Sequence, residues 1–515
     1  MVLRRERWMV LATLALLQIF VVVAGVYGYV VIHDATRTPA PIASPEPTPT
    51  PIITAGPVLA AAGDGVLPAK GTLTSRLRGA MGAPGLGRNV AGIVLDARTG
   101  ETLFDGRSTA PITPASTTKV VTALAVLASV GPDARFATRV VQGEAKNSIV
   151  LVGGGDPTLA GLRGTGKGGY PRPASLAQLA SRTAKALKAA RITRVTLSYD
   201  ASLFAGPRLA PGWKPNYIPE GSVAPVAALT MDEGRTAGGG LLADPPRETA
   251  AAFAALLRRN GVKVGDKIVP ADAPPTDQVV SGSPGTDASN VDGQNGAAQN
   301  GAAQNGVGQN RAGQNGAGQN GAGQDAGARA GQELARVESP PVYALVERML
   351  TLSDNDLAEA LARQVAVREG TPHTFTGATD AIHRVLARLK LDGGVEVHDG
   401  SGLSTHNRIT PAALGRLLAA AASPANPALH SLISGLPVAG FTGTLHGRYG
   451  KSDSAAGAGL VRAKTGTLNG VNTLAGISYT TNGRLVTFAF MADEVADAHG
   501  AIVALDKMAT IVSQS

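Results

Sequence analysis

Three short clusters of residues in this chain have the types and spacing for nucleophilic acyl transfer. Ser116-Thr117-Thr118-Lys119 puts a hydroxyl and an amine three residues apart. On a helix, positions i and i+3 are surface neighbours, so Lys119 reaches the Ser116 hydroxyl if this segment is helical. A serine hydroxyl is a weak nucleophile and needs a nearby base. A lysine serves as that base only when neutral, so desolvation or a second cation must depress its pKa. Lys464, in Lys464-Thr465-Gly466, is the candidate second cation. Ser353, in Ser353-Asp354-Asn355, can relay a proton to a leaving amine, and Asn355 offers both a donor and an acceptor to a substrate amide. Gly466 leaves room for an extended peptide to lie against a strand, and the hydroxyls of Thr465 and Thr467 suit a terminal carboxylate.

Taken singly, each cluster is weak. Serine and lysine are common surface residues, Ser353 can simply cap the following helix with Asp354 and Asn355 assisting, and Lys464 to Gly466 can be a solvated strand end. Taken together they are specific. They stand in a fixed order, separated by 237 and 111 residues. They fall at a helix start, in a loop between helices and on a strand, which are the contexts that serine acylation requires. A helix beginning at Ser116 also turns backbone N–H groups and the positive end of its dipole toward the reacting carbonyl.

The elements that must hold these residues are legible around them. Val90 to Leu95, a turn at Arg98-Thr99-Gly100-Glu101 and Thr102 to Phe104 read as a hairpin. Val120, Leu124 and Leu127, with Val121 widening the face, predict a mostly buried helix over 116–130. Helical patterns cover Val342 to Leu350 and Leu357 to Val367 on either side of Ser353. Gly459 to Thr465, Val471 to Thr480 and Arg484 to Ala492 predict a meander, its last two strands joined at Asn482-Gly483, and Glu494 to Ser513 a closing helix. The segment from Phe136 to Ile268 mixes strands with helices at 175–187 and 249–260, and reads as an inserted α+β module. The fold class is therefore α+β: an antiparallel sheet covered by helices and interrupted by a smaller α+β domain.

Outside these regions the chain changes character. Arg4, Arg5 and Arg7 precede an uncharged run from Trp8 to Ile32, long enough for a spanning helix and followed by Asp34. No convincing small-x-small cleavage site follows, so an uncleaved anchor is favoured over a removed signal; either way the bulk of the chain is exported. Thr36 to Pro57 is a Pro/Thr/Ser stretch that reads as an extended stalk. From Pro274 to about Arg329, Gln recurs every five residues in a Gln-Asn-Gly-Ala repeat. Such a segment cannot bury enough apolar surface to offset its ordering entropy, and it reads as a disordered surface insert. The resulting division is 1–34 cytoplasmic stub and membrane segment, 35–70 stalk, 71–135 N-terminal portion of the catalytic domain, 136–273 accessory domain, 274–336 repeat linker and 337–515 C-terminal portion of the catalytic domain.

Composition narrows the chemistry further. With no cysteine in 515 residues, disulfides and thiolate metal sites are excluded, and no cofactor or metal is implied. The net charge of +9 permits an anionic partner, but no basic stripe is interleaved with aromatics and no zinc-finger or helix-turn-helix signature occurs. A cationic exterior facing an anionic surface is therefore preferred to nucleic-acid binding.

The three clusters, in this order, resemble the penicillin-binding protein and β-lactamase superfamily. Within it the chain looks like the low-molecular-mass class C penicillin-binding proteins, D-alanyl-D-alanine carboxypeptidases that often also act as endopeptidases. Further stretches carry the likeness: Ser339-Pro340-Pro341-Val342, Asp354 to Glu359, Asp399-Gly400-Ser401-Gly402-Leu403-Ser404, Asn407 to Pro411, Leu436 to Gly440, Gly443-Thr444-Leu445 and Arg462 to Leu468. The resemblance implies a β-lactamase/transpeptidase-like domain, with an α-helical subdomain, split by an insertion. It implies acylation of Ser116, Lys119 as base, proton handling by Ser353 and Lys464, and an oxyanion hole from the backbone N–H groups of Ser116 and Thr467. The partners it implies are peptidoglycan stem peptides and, as covalent inhibitors, β-lactam antibiotics. Phe136 to Ile268 is short for the two accessory domains that larger members carry. Two other readings compete. A β-lactamase needs a glutamate and water to hydrolyse the acyl-enzyme quickly, and no such glutamate is identifiable; a non-catalytic wall-associated membrane protein would not need every motif residue intact.

Overall fold

In the computed structural model, residues 65–161, 170–275, 329–450 and 452–515 are described. The expected membrane segment, the stalk up to residue 64 and residues 276–328 of the repeat lie outside them. Among the described residues no helix is long and apolar enough to cross a membrane.

Helix α1 (Lys70–Met81) leads into β1 (Asn89–Asp96) and β2 (Thr102–Gly106), the expected hairpin. Helix α2 (Thr118–Ser129) follows. Every residue from Thr118 to Leu127 is buried, so this helix is enclosed on all sides and carries Lys119, with Thr118 and Thr122, into the core.

The accessory module then runs as β3 (Ala137–Gln142), β4 (Ser148–Val152), α3 (Leu176–Ala189), β5 (Arg194–Asp200), α4 (Pro245–Arg259), β6 (Lys263–Val264), β7 (Val269–Pro270) and β8 (Glu333–Glu338). Its sheet has the order β6-β5-β4-β3-β8, with β7 beside β5. The β4–β5 pair is parallel, which requires a crossover, and α3 is that crossover. Strand β8 pairs with β3 although its first four residues fall in the segment read from sequence as linker and its last two in the catalytic part. Its pattern is short, with only Ala335 and Val337 buried against the sheet, and it stands directly behind a Gly/Ala-rich repeat that conceals it.

The chain returns as α5 (Val342–Leu352), α6 (Asn355–Glu369), α7 (Phe375–Arg388), the short pair β9 (Val395–Glu396) and β10 (Arg408–Ile409), α8 (Pro411–Ala422) and α9 (His430–Ser434). It ends with β11 (Val461–Leu468), β12 (Val471–Tyr479), β13 (Leu485–Asp493) and α10 (Ala498–Ser513). The closing helix begins at Ala498, four residues later than its apolar pattern suggests. Asp497 caps it through Gly500 N, and Glu494 has a left-handed φ of 58° that no helix continues.

The catalytic sheet has the order β11-β12-β13-β1-β2, all antiparallel, so hairpins from both ends of the chain meet at β1 and β13. Alternate residues serve two cores. Ile93, Leu95, Ala475, Ile477, Ala489 and Met491 face α2 and the helical subdomain, whereas Val94, Leu474, Phe488 and Phe490 face α1 and α10. A salt bridge closes the far end: Arg484 donates Nε to Asp96 Oδ1 at 2.8 Å and Nη2 to Oδ2 at 2.5 Å.

Between β5 and α4 the accessory module sends residues 201–244 over the catalytic domain. Tyr217 and Val223 pack on Leu403, with Trp213, Ile218 and Leu468 around them. Beneath, the buried Arg363 of α6 donates to Ala205 O at 2.9 Å.

Candidate active site

The turn before α2 is strained and tightly lashed. Ala115 has a left-handed φ of 48°, uncommon for a residue with a Cβ. The threonines of Ser116-Thr117-Thr118-Lys119 hold it. Thr117 Oγ1 donates to Pro114 O at 2.6 Å, and Thr118 Oγ1 to Ala115 O at 2.9 Å. From the sheet, Thr473 Oγ1 also donates to Pro114 O at 2.9 Å. Gly402, at φ 89°, presses on the other side; a Cβ there would stand 1.9 Å from Ala115 O. The result presents Ser116 half-buried at the head of α2, with Lys119 Nζ 3.2 Å from its Oγ.

Lys119 is fully buried and its nitrogen has two further partners: Asn355 Oδ1 at 2.6 Å and Ser401 O at 2.7 Å. A neutral amine has two N–H donors and one lone pair. Two acceptors therefore take both donors and leave the lone pair for the Ser116 hydroxyl. Burial pushes the Lys119 pKa down to about 8, against the pull of Asp399 and Glu359. Lys464 is not what depresses it. Burial pushes Lys464 well below its usual value, with the Lys119 charge adding to that, so Lys464 is the first of the two to lose its proton.

Ser353 ends α5 in the left-handed region (φ 58°), so its side chain leaves the helix toward the site. It does not cap α6; Asp354 does, accepting from Leu357 N at 2.9 Å. That frees the Ser353 hydroxyl, which accepts from Lys464 Nζ at 2.9 Å. The same amine donates to Thr465 O at 2.9 Å. Asn355, first residue of α6, donates Nδ2 to Ser222 O at 2.8 Å.

Strand β11 is the sheet edge. Its outer side is covered at one end only, where Ala439 N donates to Val461 O and Ala463 N to Pro437 O, each at 2.9 Å. Backbone groups alternate sides along an antiparallel strand, so those of Thr465 and Thr467 face outward too. Past Ala463 no described strand pairs with that edge. Thr465 Oγ1 donates to Thr444 Oγ1 at 2.9 Å, and Thr467 is exposed. Gly466 also has a reason within the fold. Its missing Cβ would fall 2.1 Å from Thr473 Oγ1 and 2.7 Å from Pro114 O, so the glycine lets the strand close on the Ser116 turn.

All the residues singled out from sequence thus gather at one junction of α2, α6 and β11. Sequence reasoning missed what lies behind them. Glu359, one helical turn beyond Asn355, accepts from Gly400 N at 3.0 Å and Ser401 N at 2.8 Å, and so holds the loop whose carbonyl meets Lys119. Burial, with Asp399 adding, raises its carboxyl pKa to about 8. Asp399 anchors the same loop through Gly402 N and Ser404 N, and takes the Trp213 indole N–H at 2.8 Å. The sequence signal for these two was only their place at the ends of two family-like stretches, Asp354 to Glu359 and Asp399 to Ser404. Among the described residues no group of three His, Asp or Glu side chains is placed to hold a metal ion.

The chain is similar to known proteins. Residues 73–239 and 303–514 match the family described as D-Ala-D-Ala carboxypeptidase 3 (S13). The chain belongs to that family. A carboxypeptidase of Mycobacterium tuberculosis is 33% identical over 460 residues, 88% of this chain and 87% of the other. The carboxypeptidase DacB of Mycolicibacterium smegmatis is 32% identical over 430 residues, 83% of this chain and 81% of that one. Among solved structures, penicillin-binding protein 4 of Haemophilus influenzae covers 86% of this chain and 98% of its own, with a TM-score of 0.61 at 21% identity. That likeness shows the α+β transpeptidase-like fold. The same Haemophilus protein has been crystallised with a β-lactam. This S13 chain is a serine-type D-Ala-D-Ala carboxypeptidase, a hydrolase of the penicillin-binding group.

Proposed function

We propose that Ser116 attacks the carbonyl between the two terminal D-alanines of a peptidoglycan stem peptide. The observation that carries this reading is the buried Lys119 amine 3.2 Å from Ser116 Oγ, its N–H donors engaged elsewhere. As the O–C bond forms, the Ser116 proton passes to Lys119, and the oxyanion is met by the N–H groups of Ser116 and Thr467. The outward set of the Thr467 backbone supports that role. The C–N bond then breaks. The proton taken by Lys119 passes through Ser353, which Lys464 keeps hydrogen-bonded, to the nitrogen of the leaving D-alanine, and Lys119 is neutral again. Water attacks the ester with Lys119 as base, the acyl–oxygen bond breaks and the proton returns to Ser116. The free outer edge of β11 receives the peptide as an added strand, and Thr465 and Thr467 offer hydroxyls to its carboxylate.

A β-lactam follows the same first step, but its leaving nitrogen stays tethered in the acyl-enzyme. The relative crystallised with a β-lactam supports this for the present chain. The β-lactamase alternative asks for a glutamate poised over the ester. Glu359 is occupied by two backbone amides behind Lys119 and does not serve. Anchorage by residues 8–32, with the catalytic domain outside the membrane on the 36–57 stalk, is supported by the arginines before the span and the acid after it.

Digestion of defined muropeptides, followed by mass spectrometry, tests the reading. Release of free D-alanine from pentapeptides is expected. Cleavage of D-alanyl cross-links in the same digest assigns endopeptidase activity in addition; release of neither product contradicts the proposal.

A further inference from the structure

Asn355 is held from both ends. Its Oδ1 accepts from Lys119 Nζ at 2.6 Å and its Nδ2 donates to Ser222 O at 2.8 Å. A carbonyl oxygen only accepts, so Ser222 decides which end of the amide is NH2 and turns Oδ1 toward Lys119. Ser222 belongs to the accessory module, not to the catalytic domain. One ion pair brackets it. Arg235 Nη2 donates to Gly221 O, the residue before, at 3.0 Å, and Asp356 Oδ1 accepts from Ala224 N, two residues after, at 2.6 Å. Arg235 Nη1 meets Asp356 Oδ2 at 2.6 Å, and the two side chains are 21% and 8% exposed. Asp356 is the chain neighbour of Asn355, so the pair ties the bracket directly to the residue it orients.

The segment that delivers Arg235 adopts a conformation it would not choose alone. Asp232, Glu233 and Gly234 have φ of 50°, 57° and 70°, three left-handed residues in a row. Three contacts enforce it. Asp232 Oδ1 accepts from Gly161 N at 2.9 Å, Glu233 N donates to Pro157 O at 2.8 Å, and the Glu233 carboxylate pairs with Arg348 of α5. Strained backbone persists only where the surroundings over-determine it, and here its product is the placement of one guanidinium.

We propose that Arg235 is a positioning residue for acylation: it locks residues 221–235 so that the Ser222 carbonyl keeps Asn355 Oδ1 turned on Lys119. This rests on the assignment of Lys119 and Asn355 to the reacting centre. Released from the bracket, the Asn355 amide is free to turn, and an N–H facing Lys119 cannot accept from it. Lys119 then loses one of the two acceptors that aim its lone pair at Ser116. The accessory module thereby belongs to the catalytic apparatus, through a backbone carbonyl and without touching substrate.

The test is a double-mutant cycle read by penicillin acylation under saturating conditions. Arg235→Ala is expected to lower the saturating rate about 10- to 100-fold, the scale on which small displacements at a reacting centre act. The half-saturating penicillin concentration should stay as in wild type, because the guanidinium of Arg235 is engaged by Asp356 and Gly221 O and acts through Asn355. Arg235→Lys, which keeps the charge facing Asp356, should recover some of the rate. In an Asn355→Ala background, Arg235→Ala should add no more than about 2-fold, because its effect passes through Asn355. Should the alanine variant fail to fold, Arg235→Gln carries the same cycle. A wild-type rate in the single variant, or an undiminished loss in the Asn355→Ala background, overturns the proposal. A wild-type rate in Asn355→Ala alone would instead overturn the assignment of the reacting centre.

Discussion

One arginine–aspartate pair lies within the catalytic sheet and another joins the accessory module to the catalytic domain, and the two pairs hold different things. Arg484 and Asp96 join β13 to the end of β1, both nearly without solvent, so their pair secures the sheet itself. Arg235 and Asp356 join a strained coil to the first turn of α6 and bracket one carbonyl. The chemistry of the contact is the same; what each pair orients separates a stability device from a positioning device. Both regions converge on Lys119, the sheet by closing β11 and Thr473 on the Ser116 turn, the accessory coil by turning Asn355.

The sharpest way to break this convergence is to remove its target. Lys119→Ala should lower penicillin acylation by about 10³-fold or more, as loss of a catalytic base does elsewhere, while circular dichroism keeps the native spectrum. Acylation at the native rate would show that Lys119 is not the base. Arg484→Ala comes next and should do the opposite. Stranding Asp96 without its partner should cost about 3–5 kcal/mol of unfolding free energy, with the acylation rate per folded molecule unchanged. The pair also sets an acid limit. Burial raises the Asp96 pKa, but the bonds from Arg484 and Thr99 outweigh it and bring the pKa to about 2, below the usual 3.8. A lowered folded-state pKa contributes stability that is complete above about pH 4 and fades as the pH falls toward 2. Acid titration followed by fluorescence should show that slope in wild type and lose it in Arg484→Ala.

Smaller effects sharpen the sheet side. Gly466→Ala should destabilise by about 1–3 kcal/mol and slow acylation, since its Cβ meets the backbone oxygen of Pro114. A variant that melts like wild type would return Gly466 to a role in substrate clearance. The acylation rate of the wild type should climb with pH through about 8 and level off above it, because Lys119 acts when neutral and its pKa lies there. A rate flat between pH 6 and 9 would contradict that ionisation.

Much of the catalytic half was legible beforehand, because its strands are consecutive, two-sidedly buried and joined by recognisable turns. Strands β12 and β13 fall within one residue of their apolar patterns. Ser116, Lys119, Ser353, Asn355 and Lys464 announced themselves by type. What escaped were groups that carry no side-chain signature: the carbonyls of Ser222 and Ser401, and the need for Gly466 to pass Pro114. Arg235 escaped for a related reason. It lies 121 residues from its aspartate and between stretches with no periodic pattern. Strand β8 escaped because two buried residues are too few to read beside a Gly/Ala repeat.

Acylation of Ser116 is the step on which all the others depend, and mapping the adduct tests it. The protein is incubated with benzylpenicillin, digested and read by mass spectrometry, alongside Ser116→Ala. A penicilloyl adduct is expected on the peptide that contains Ser116 and none in the variant. An adduct on another residue, or equal labelling of Ser116→Ala, would contradict it.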